Sequence, residues 1–390
     1  MSALGDIVAN YGGLIQTGPF GSQLHEYEYT EVGVPVVMPK DIASGKINFE
    51  GIARIPEEKA RQLQRHKLQA GDIVFPRRGD IGKCAFVSER DEGCLCGTGC
   101  LKISVSENVL LPRFLFYFLG LPESVKWLEN NSTGSTMMNL NANTLGRLEI
   151  PDLPVEEQRR IADILSAYDD LIENNRRRIA ILEETARLTY RKWFGGHNIS
   201  ADGAARSRHE VTKGGRGSVR AKTTTLGDVA EVLYGKDHKK IPDGAIPIFG
   251  SGGVMRYGAT AIFDKPSVLI PRKGTIGNVM YVDEPFWTVD TMFYTRFKLP
   301  NMEKILYYQL CDYNLASMST GAAVPSMTTA ILNSLEIKVP PDDLRVEFDM
   351  AVEPMFVQKR LLKKQNASLA AARDMLLPRL MKGQPCFSSL

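Results

Sequence analysis

The chain has 390 residues, of which 43% are hydrophobic and 24% charged, and its formal net charge is +3. This length predicts two or three domains with substantial cores, and the composition is that of a globular protein. No run approaches the ~18 apolar residues of a membrane span, and the N-terminus lacks the pattern of a secretory signal. We therefore expect a cytoplasmic protein with no membrane contact. A net charge this small neither requires nor excludes a nucleic acid partner.

The first 150 residues form a module that we expect to be rich in strands. The run Gly71–Pro76 (GDIVFP) is short, apolar and closed by a proline, which is typical of a strand. Residues Arg113–Leu119 are expected to form a short helix. The segment Gly18–Ser22 (GPFGS) is rich in glycine but lacks the lysine of a phosphate-binding loop, so we interpret it as a surface turn.

Six cysteines are spread over the chain, four of them in the first module. They lack the paired Cys-x-x-Cys spacing of a zinc knuckle, and no histidine lies within the cluster. We interpret them as reduced cysteines in strands of a cytosolic protein, and we expect neither metal nor cofactor. The cysteines are Cys84, Cys94, Cys96, Cys100, Cys311 and Cys386.

We predict that residues 151–194 form the first long helix. Pro154 is followed by two glutamates, which suit the positive end of a helix dipole. Apolar residues then recur every three or four positions at Ile161, Ile164, Tyr168 and Leu171. This stripe is interrupted at Asn175 and resumes one turn later. A helix of this length would be ~57 Å long and requires a partner along its length.

We predict that residues 195–225 form a flexible linker. The segment contains six glycines, and its six lysines and arginines outnumber two acidic residues. The second module follows at 226–339, with a predicted strand at Pro266–Pro271 and a predicted short helix at Glu303–Cys311.

We predict that residues 340–383 form a second long helix, which is followed by a tail at 384–390. Its apolar residues Met355, Leu362, Leu369 and Leu376 are spaced seven apart, as in a coiled coil. Pro354 and Pro378 are expected to kink or end this helix locally.

The strongest signal is an internal repeat. Four sequence anchors recur in the same order in both halves, with a shift that falls from 222 to 187, so the second module is shorter by 222 − 187 = 35 residues. We therefore predict an α+β fold: two strand-rich modules separated by two long helices, which pack as an antiparallel coiled coil and give a pseudo-twofold repeat. The anchor pairs are Leu4–Asp6 with Leu226–Asp228, Pro76–Gly82 with Pro271–Gly277, Ser132–Gly134 with Ser319–Gly321, and Leu148–Ile150 with Leu335–Ile337.

The chain carries no recognisable catalytic motif. It lacks the Asn/Asp-Pro-Pro-aromatic motif of an adenine methyltransferase and the GxxxxGK[ST] loop of a motor. The acidic residues Asp152, Glu156 and Glu157 are better explained by a helix N-terminus than by a nuclease site.

Binding residues are easier to identify. Paired basic residues beside glycines in both modules could reach phosphates or guanine edges, and the polar segments that follow could bond bases or phosphates. The alternatives are a solvated basic hairpin and a Ser/Thr/Asn turn that caps the strand before the helix. The candidate nucleic-acid contacts are Lys40, Arg77, Arg78, Lys83, Ser135, Thr136, Asn139, Asn141, Arg272, Lys273, Thr320 and Ser326.

Two dissimilar modules, each closed by a TG…L…LEI anchor and followed by a long helix, resemble the specificity subunit of a type I restriction–modification system. The resemblance implies that each module is a target recognition domain for one half of an asymmetric, bipartite sequence in double-stranded DNA. It also implies that the helices separate the half-sites and dock two methyltransferase subunits and, through them, restriction or translocase subunits. Catalysis would then belong to those partners. The helix residues expected to dock partners are Ile161, Ile164, Tyr168, Leu171, Met355, Leu362, Leu369 and Leu376.

Two other classes stay open at this point. One is a stand-alone regulator with two DNA-binding modules and no methyltransferase partner. The other is an enzyme whose active site has no recognisable motif.

Overall fold

The structure, a computed structural model, describes residues 1–132, 139–195, 221–318 and 326–382. The chain divides into two compact units. The first unit comprises Met1–Asn174 and Gln365–Leu390, and the second comprises Asn175–Lys364. Each unit therefore contains one module and one segment of each long helix.

The first unit consists of short strands and helices. Its strands are β1 (Ser2–Ala3), β2 (Leu14–Thr17), β3 (Val34–Val37), β4 (Ile42–Ala43), β5 (Lys46–Ile47), β6 (Ala53–Ile55), β7 (Ile73–Pro76), β8 (Ala85–Phe86), β9 (Leu95–Cys96), β10 (Cys100–Ser104) and β11 (Glu149–Ile150). Its helices are α1 (Leu4–Tyr11), α2 (Glu57–Gln62), α3 (Pro112–Leu119), α4 (Pro122–Asn131), α5 (Ala142–Gly146) and the beginning of α6 (Val155–Phe194). Single turns of 3₁₀-helix lie at Glu26–Glu28, Pro39–Asp41, Gln64–His66 and Glu89–Asp91.

The second unit follows the same order. Its strands are β12 (Lys222–Thr225), β13 (Ala230–Tyr234), β14 (Asp243–Gly250), β15 (Gly253–Gly258), β16 (Ser267–Pro271), β17 (Met280–Val282), β18 (Trp287–Thr288), β19 (Met292–Phe297) and β20 (Glu336–Val339). Its helices are α7 (Leu226–Val229), α8 (Glu303–Asp312), α9 (Thr329–Asn333) and most of α10 (Asp342–Met381).

The two modules have the same sheet topology. The first contains an antiparallel sheet in the order β2-β10-β7-β8, and the second contains β13-β19-β16-β17. Each also has a three-stranded sheet, β6-β3-β9 or β15-β14-β18, in which the last pair is parallel. A two-stranded pair, β1-β11 or β12-β20, closes each module. The sequence repeat is therefore accompanied by a repeat of topology.

The length difference between the modules lies partly between equivalent strands. The first module has the β4–β5 hairpin between β3 and β6. At the equivalent place in the second module, a tight two-residue turn joins β14 to β15. The first module also has α2 and a 3₁₀ turn between β6 and β7, whereas the fully described segment from β15 to β16 contains no helix.

The predicted strands at the centre of each module are buried on both faces. Ile73 and Phe75 of β7 contribute to the larger core, while Val74 between them belongs to a second core. In β16, Val268 and Ile270 face one core and Leu269 faces another. Alternate residues of a strand point to opposite sides, so a strand between two cores reads as a continuous apolar run. The predictions for β7, β16, α3 and α8 are confirmed, with ends shifted by no more than two residues.

The long helices pack against each other within each unit. In the first unit, Ile161 and Leu165 of α6 share a core with Leu380 of α10, and Arg373 pairs with Asp169. In the second unit, Tyr190 shares a core with Phe348, and Lys359 Nζ lies 3.4 Å from Glu183 Oε1. In both units, later residues of α6 therefore meet earlier residues of α10, as in an antiparallel pair.

The buried face of α6 differs from the predicted stripe. Leu171 is 50% exposed, whereas the next residue, Ile172, is only 6% exposed. Ile161 and Leu165 are buried, while Ile164 and Tyr168 are half-buried. At 3.6 residues per turn, the buried positions are rotated by about 60° from the centre of the predicted stripe. The reason is that α6 is covered by its own module as well as by α10. The predicted stripe is based on packing between the two helices alone and does not include the contacts with the module.

The heptad positions of α10 show a similar difference. Leu362 is buried, whereas Met355, Leu369 and Leu376 are half-buried. The most buried positions of this helix instead include Phe348, Val352, Phe356, Leu377 and Leu380.

Of the two predicted effects of the prolines in α10, ending the helix is wrong. The helix runs without interruption from Asp342 to Met381 through Pro354 and Pro378. A proline removes one backbone donor, which here leaves the carbonyl of Met350 without its helical partner. Met350 is exposed, so water can satisfy that carbonyl, and the buried Val352 and Phe356 hold the helix on both sides of Pro354.

The cysteines only partly follow the expectation. Cys96 and Cys100 lie in strands and Cys84 and Cys94 lie beside strands, but Cys311 lies at an exposed position of α8, within the helix that the sequence predicts there. Burial raises the pKa of the Cys84 and Cys96 thiols to about 12. Within the described residues, no group of three or more His, Cys, Asp or Glu could hold a metal ion.

Part of the predicted linker is a strand. Residues 196–220, most of the segment 195–225, lie outside the described residues. Its last four residues form β12, because they pair with β20 and close the second module. Of the helices in the described ranges, none has the length and apolar content to cross a membrane. The tail 384–390, with Cys386, also lies outside the described residues.

Candidate nucleic-acid interface

The first basic turn follows β7. Arg77 N–H donates to the carbonyl of Gly99 at 2.7 Å, and Leu140 N–H donates to the carbonyl of Arg77 at 2.8 Å. Gly79 has a φ of +80°, a conformation that favours glycine. The buried Ile81 anchors the far end of the turn in the core. Arg77 is half-buried, with Nε 3.4 Å from the carbonyl of Leu140, and Arg78 is exposed.

The second basic turn repeats this geometry after β16. Arg272 N–H donates to the carbonyl of Thr291 at 2.8 Å, and Met327 N–H donates to the carbonyl of Arg272 at 2.9 Å. Gly274 also has a φ of +80°, and Ile276 is buried. The Arg272 guanidinium lies 5.6 Å from the centre of the Tyr234 ring, a cation–π distance, and Lys273 is exposed.

In the first unit, the segment Gly97–Cys100 joins three loops. Gly18 N–H donates to the carbonyl of Cys100 at 2.9 Å, Gly97 N–H donates to the carbonyl of Val37 at 2.9 Å, and Gly99 receives the bond from Arg77. A Cβ at Gly18 would lie 2.0 Å from the carbonyl oxygen of Gly97, so only glycine fits. The structure thereby brings the loop after β2, Lys40 after β3 and the basic turn to one end of the sheets.

The segment Thr288–Met292 has the same role in the second unit. Gly235 N–H donates to the carbonyl of Met292 at 3.0 Å, and Val289 N–H donates to the carbonyl of Phe249 at 3.0 Å. A Cβ at Gly235 would lie 2.1 Å from the carbonyl oxygen of Val289. The loop after β13, the β14–β15 turn and the second basic turn therefore meet at this segment.

The polar segments lie next to the basic turns. Asn139 forms a β-bridge with Arg78. Asn141 accepts a bond from Thr144 N–H at 2.8 Å and caps α5, and Thr328 caps α9 in the same way. This bond occupies the side-chain oxygen of Asn141. Ser326 is half-buried, one residue before Met327. Ser135, Thr136 and Thr320 lie outside the described residues.

The remaining predicted cations are exposed. Lys83 Nζ lies 2.7 Å from Asp80 Oδ2, but both side chains are more than half exposed, so the pair adds little stability. Lys40 lies in the Pro39–Asp41 turn with Nζ 3.5 Å from the carbonyl of Gly51.

The sequence interpretation missed two features of these loops. The loop after β13 carries the exposed Lys236, Lys239 and Lys240, and the loop after β2 exposes Phe20. Three lysines within five residues were a visible signal. Their position beside the second basic turn depends on contacts between distant parts of the chain, which no short motif reveals.

Comparisons with known proteins identify the family of the chain. A family model described as the type I restriction modification DNA specificity domain matches residues 26–184 and 219–345. The chain is similar to the type I restriction enzyme MjaIX specificity subunit of Methanocaldococcus jannaschii, with 24% identity over 92% of this chain and 88% of that protein. It is also similar to the HindI specificity subunit of Haemophilus influenzae, with 21% identity over 81% of this chain and 87% of that protein.

A solved structure shares the fold. The crystal structure of a type I restriction–modification S subunit from M. genitalium matches with a TM-score of 0.57 and 18% identity, over the whole of both chains. This chain belongs to the type I restriction–modification specificity family and is a specificity subunit of such a system.

Proposed function

We propose that the two modules read the two halves of an asymmetric, bipartite sequence in double-stranded DNA and so direct a type I methyltransferase complex to its target. The observation that carries this proposal is the repeated end of each module, where a basic turn, a glycine-anchored loop and a polar segment meet. Phosphate contacts fix the register of a protein on DNA, and base contacts specify the sequence. The two modules differ in their loops, so the half-sites differ.

The proposed contacts to DNA include side chains from both modules. Arg78 and Lys273 are exposed at equivalent positions of the two turns, and Arg77 and Arg272 are anchored beside them. The full set of described candidates is Lys40, Arg77, Arg78, Lys83, Asn139, Asn141, Arg272, Lys273 and Ser326.

In this proposal the long helices pair as an antiparallel coiled coil, and a pseudo-twofold axis relates the modules. In each unit, later residues of α6 contact earlier residues of α10, which supports the antiparallel pairing. The common sheet topology of the modules supports the pseudo-twofold axis. The modules would correspond to residues 1–150 and 226–339, with β12 (Lys222–Thr225) added to the second. The helical region would dock two methyltransferase subunits and, through them, restriction or translocase subunits. The chain itself would act in the cytoplasm as a recognition component without a cofactor, and methyl transfer and DNA cleavage would belong to its partners.

Co-purification and methylation mapping test this function. Expression of a tagged full-length chain in its host should co-purify a methyltransferase subunit. Deletion of the gene should remove adenine methylation from one bipartite sequence with an unread gap, and restoring the gene should restore it. Two results together would instead support a stand-alone DNA-binding regulator: the tagged chain purifies without a methyltransferase, and methylation in the host does not change when the gene is deleted.

A further inference from the structure

The second module has an anchored basic loop at its candidate DNA-binding end. This lysine loop, residues Gly235–Ile241, joins β13 to β14. It exposes Lys236, Lys239 and Lys240, against a single acidic residue, Asp237. The pKa of Asp237 is lowered, first by the backbone N–H of Lys239, so this carboxylate is occupied within the loop.

Arg256 of β15 fixes the shape of the lysine loop. Its Nη2 donates to the carbonyl of His238 at 2.6 Å and to that of Ile241 at 2.9 Å. Its Nη1 lies 3.0 Å from Asp243 Oδ1. A guanidinium presents several donors in a rigid fork, so one side chain can hold two parts of a loop together.

The beginning of the loop is held independently. Lys236 N–H donates to the carbonyl of Thr288 at 2.9 Å, and the indole N–H of Trp287 donates to the carbonyl of Lys236 at 2.9 Å. A solvated run of lysines requires no such anchoring at both ends. The loop is therefore a defined element that presents three ammonium groups.

The lysine loop and the second basic turn share one support. Lys236 bonds to Thr288 at one end of the segment Thr288–Met292, while Arg272 bonds to Thr291 through its backbone and approaches Asp290 O at 3.5 Å through Nη1. Exposed Tyr234, the last residue before the loop, lies under the Arg272 guanidinium. The lysine loop and the second basic turn, each bonded to this segment, together carry five cationic side chains: Lys236, Lys239, Lys240, Arg272 and Lys273.

The equivalent loop of the first module has different chemistry. Gly18 is anchored as Gly235 is, but the following residues, PFGSQL, contain no lysine or arginine and expose Phe20. The same position in the fold therefore carries three cations in one module and an aromatic side chain in the other.

We propose that the lysine loop is a phosphate clamp confined to the second module. Lys236, Lys239 and Lys240 bind backbone phosphates of the half-site that this module reads, and Arg256 is the positioning residue that holds the loop in place. The ligand is the sugar–phosphate backbone of duplex DNA, so the clamp contributes affinity and register and leaves the choice of bases to other residues. This inference rests on the proposed function.

Salt dependence of binding tests the clamp. The complex co-purified with its methyltransferase is titrated with a fluorescent duplex that contains the mapped methylation sequence, between about 50 and 200 mM NaCl. Each phosphate that the protein no longer neutralises lowers the slope of log K against log salt by about 0.9, so the triple variant K236Q/K239Q/K240Q should lose about 2 to 3 from the slope. The triple Lys→Arg variant should keep the wild-type slope, and the methylated sequence should be the same for all variants.

A matched control removes three lysines elsewhere in the same unit. β16 and β19 reach the interface with Pro271 and Met292, so Lys265, before β16, and Lys298, after β19, lie at the opposite end of the sheet. The variant K222Q/K265Q/K298Q has the same change in net charge and should keep the wild-type slope. An equal loss in control and clamp variants would indicate a general charge effect and would overturn the clamp.

Arg256→Lys tests the positioning role separately. This change keeps the charge but removes the fork, and we expect weaker DNA binding at fixed salt with an unchanged melting temperature. Wild-type affinity for Arg256→Lys would exclude the positioning role. An unchanged slope for the triple Gln variant would exclude the clamp while leaving the proposed function intact. A wild-type complex that does not form, or does not bind the duplex, would instead refute the proposed function.

Discussion

At the scale of single residues, the two basic turns combine an anchored arginine with an exposed cation. The backbone of Arg77 or Arg272 is bonded on both sides, to the segment that joins the loops and to the polar segment. The side chain of the next residue, Arg78 or Lys273, is exposed. Because the guanidinium of the first is held close to the protein, the second is better placed to reach a phosphate.

Removing either pair of cations should weaken DNA binding. We expect R77A/R78A and R272A/K273A each to lower the affinity of the complex and to reduce its salt slope by about one for each phosphate that is no longer bound. Anisotropy titrations at several salt concentrations measure both quantities. The control K265A/K298A, at the far end of the second sheet, should leave them unchanged. If both arginine-turn variants bind as the wild type does, the turns are only solvated hairpins.

At the scale of elements, the sequence predicts those parts whose pattern is local. The strands β7 and β16 read as apolar runs closed by proline, and both long helices are visible in their periodicity and acidic first turns. The internal repeat adds the correspondence between modules. The strand and helix signals span fewer than about ten residues or recur at a fixed spacing, and the repeat is found by comparing the two halves of the sequence, so none of them requires knowledge of tertiary contacts.

The remaining elements depend on distant contacts. The predicted stripe buries Leu171, but Leu171 is exposed and Ile172 is buried instead, because the module covers a face of α6 that the helix pattern does not reveal. Pro354 sits within a helix because packing of Phe356 and Val352 outweighs the missing backbone bond. The loops at the candidate interface meet through pairs such as Gly18 with Cys100, which are far apart in the sequence. Motif and periodicity cannot identify such pairs in a single sequence.

A buried ion pair connects α8 to α10 in the second unit. Lys304 Nζ lies 2.6 Å from both Asp349 Oδ1 and Glu353 Oε2, and its side chain is only 6% exposed. Burial lowers the pKa of Lys304, but its hydrogen bonds to these two carboxylates outweigh burial and raise it. A raised pKa means that the folded state holds the proton more tightly. The contribution to stability is therefore complete at neutral pH and is lost as the pH rises beyond the usual lysine range.

Lys304→Ala should destabilise the second unit strongly. Removing one partner of a buried pair costs roughly 3 kcal/mol, although the partial exposure of Glu353 places the expected loss nearer 2 kcal/mol. Urea unfolding of the full chain at neutral pH measures the difference. Lys363→Ala, at an exposed lysine of α10, should change the free energy of unfolding by less than about 0.5 kcal/mol. Equal effects of the two variants would show that the ion pair adds no stability.

At the scale of the whole molecule, both long helices run through the division between the two units. Each helix has 40 residues, and at ~1.5 Å per residue it extends ~60 Å, or about 17 base pairs of duplex DNA. The division falls after Asn174 in α6 and after Lys364 in α10. If the helices set the distance between the half-sites, changes at these two positions should alter the gap and leave the recognised bases unchanged.

Matched insertions test the helices as a spacer. Four residues added after Asn174 and four after Lys364 lengthen both helices by about one turn, ~6 Å, close to two base pairs of axial rise. Because four residues nearly complete a turn, the buried faces should keep their direction, whereas two residues would rotate them by about 200°. Methylation mapping should then find the same half-sites separated by one or two additional base pairs, and the two-residue variant should lose activity. A helical region that only recruits partners predicts an unchanged gap, and a changed half-site with the original gap would rule the spacer out. The gap length therefore reports on the helices alone, separately from the loops that read the bases.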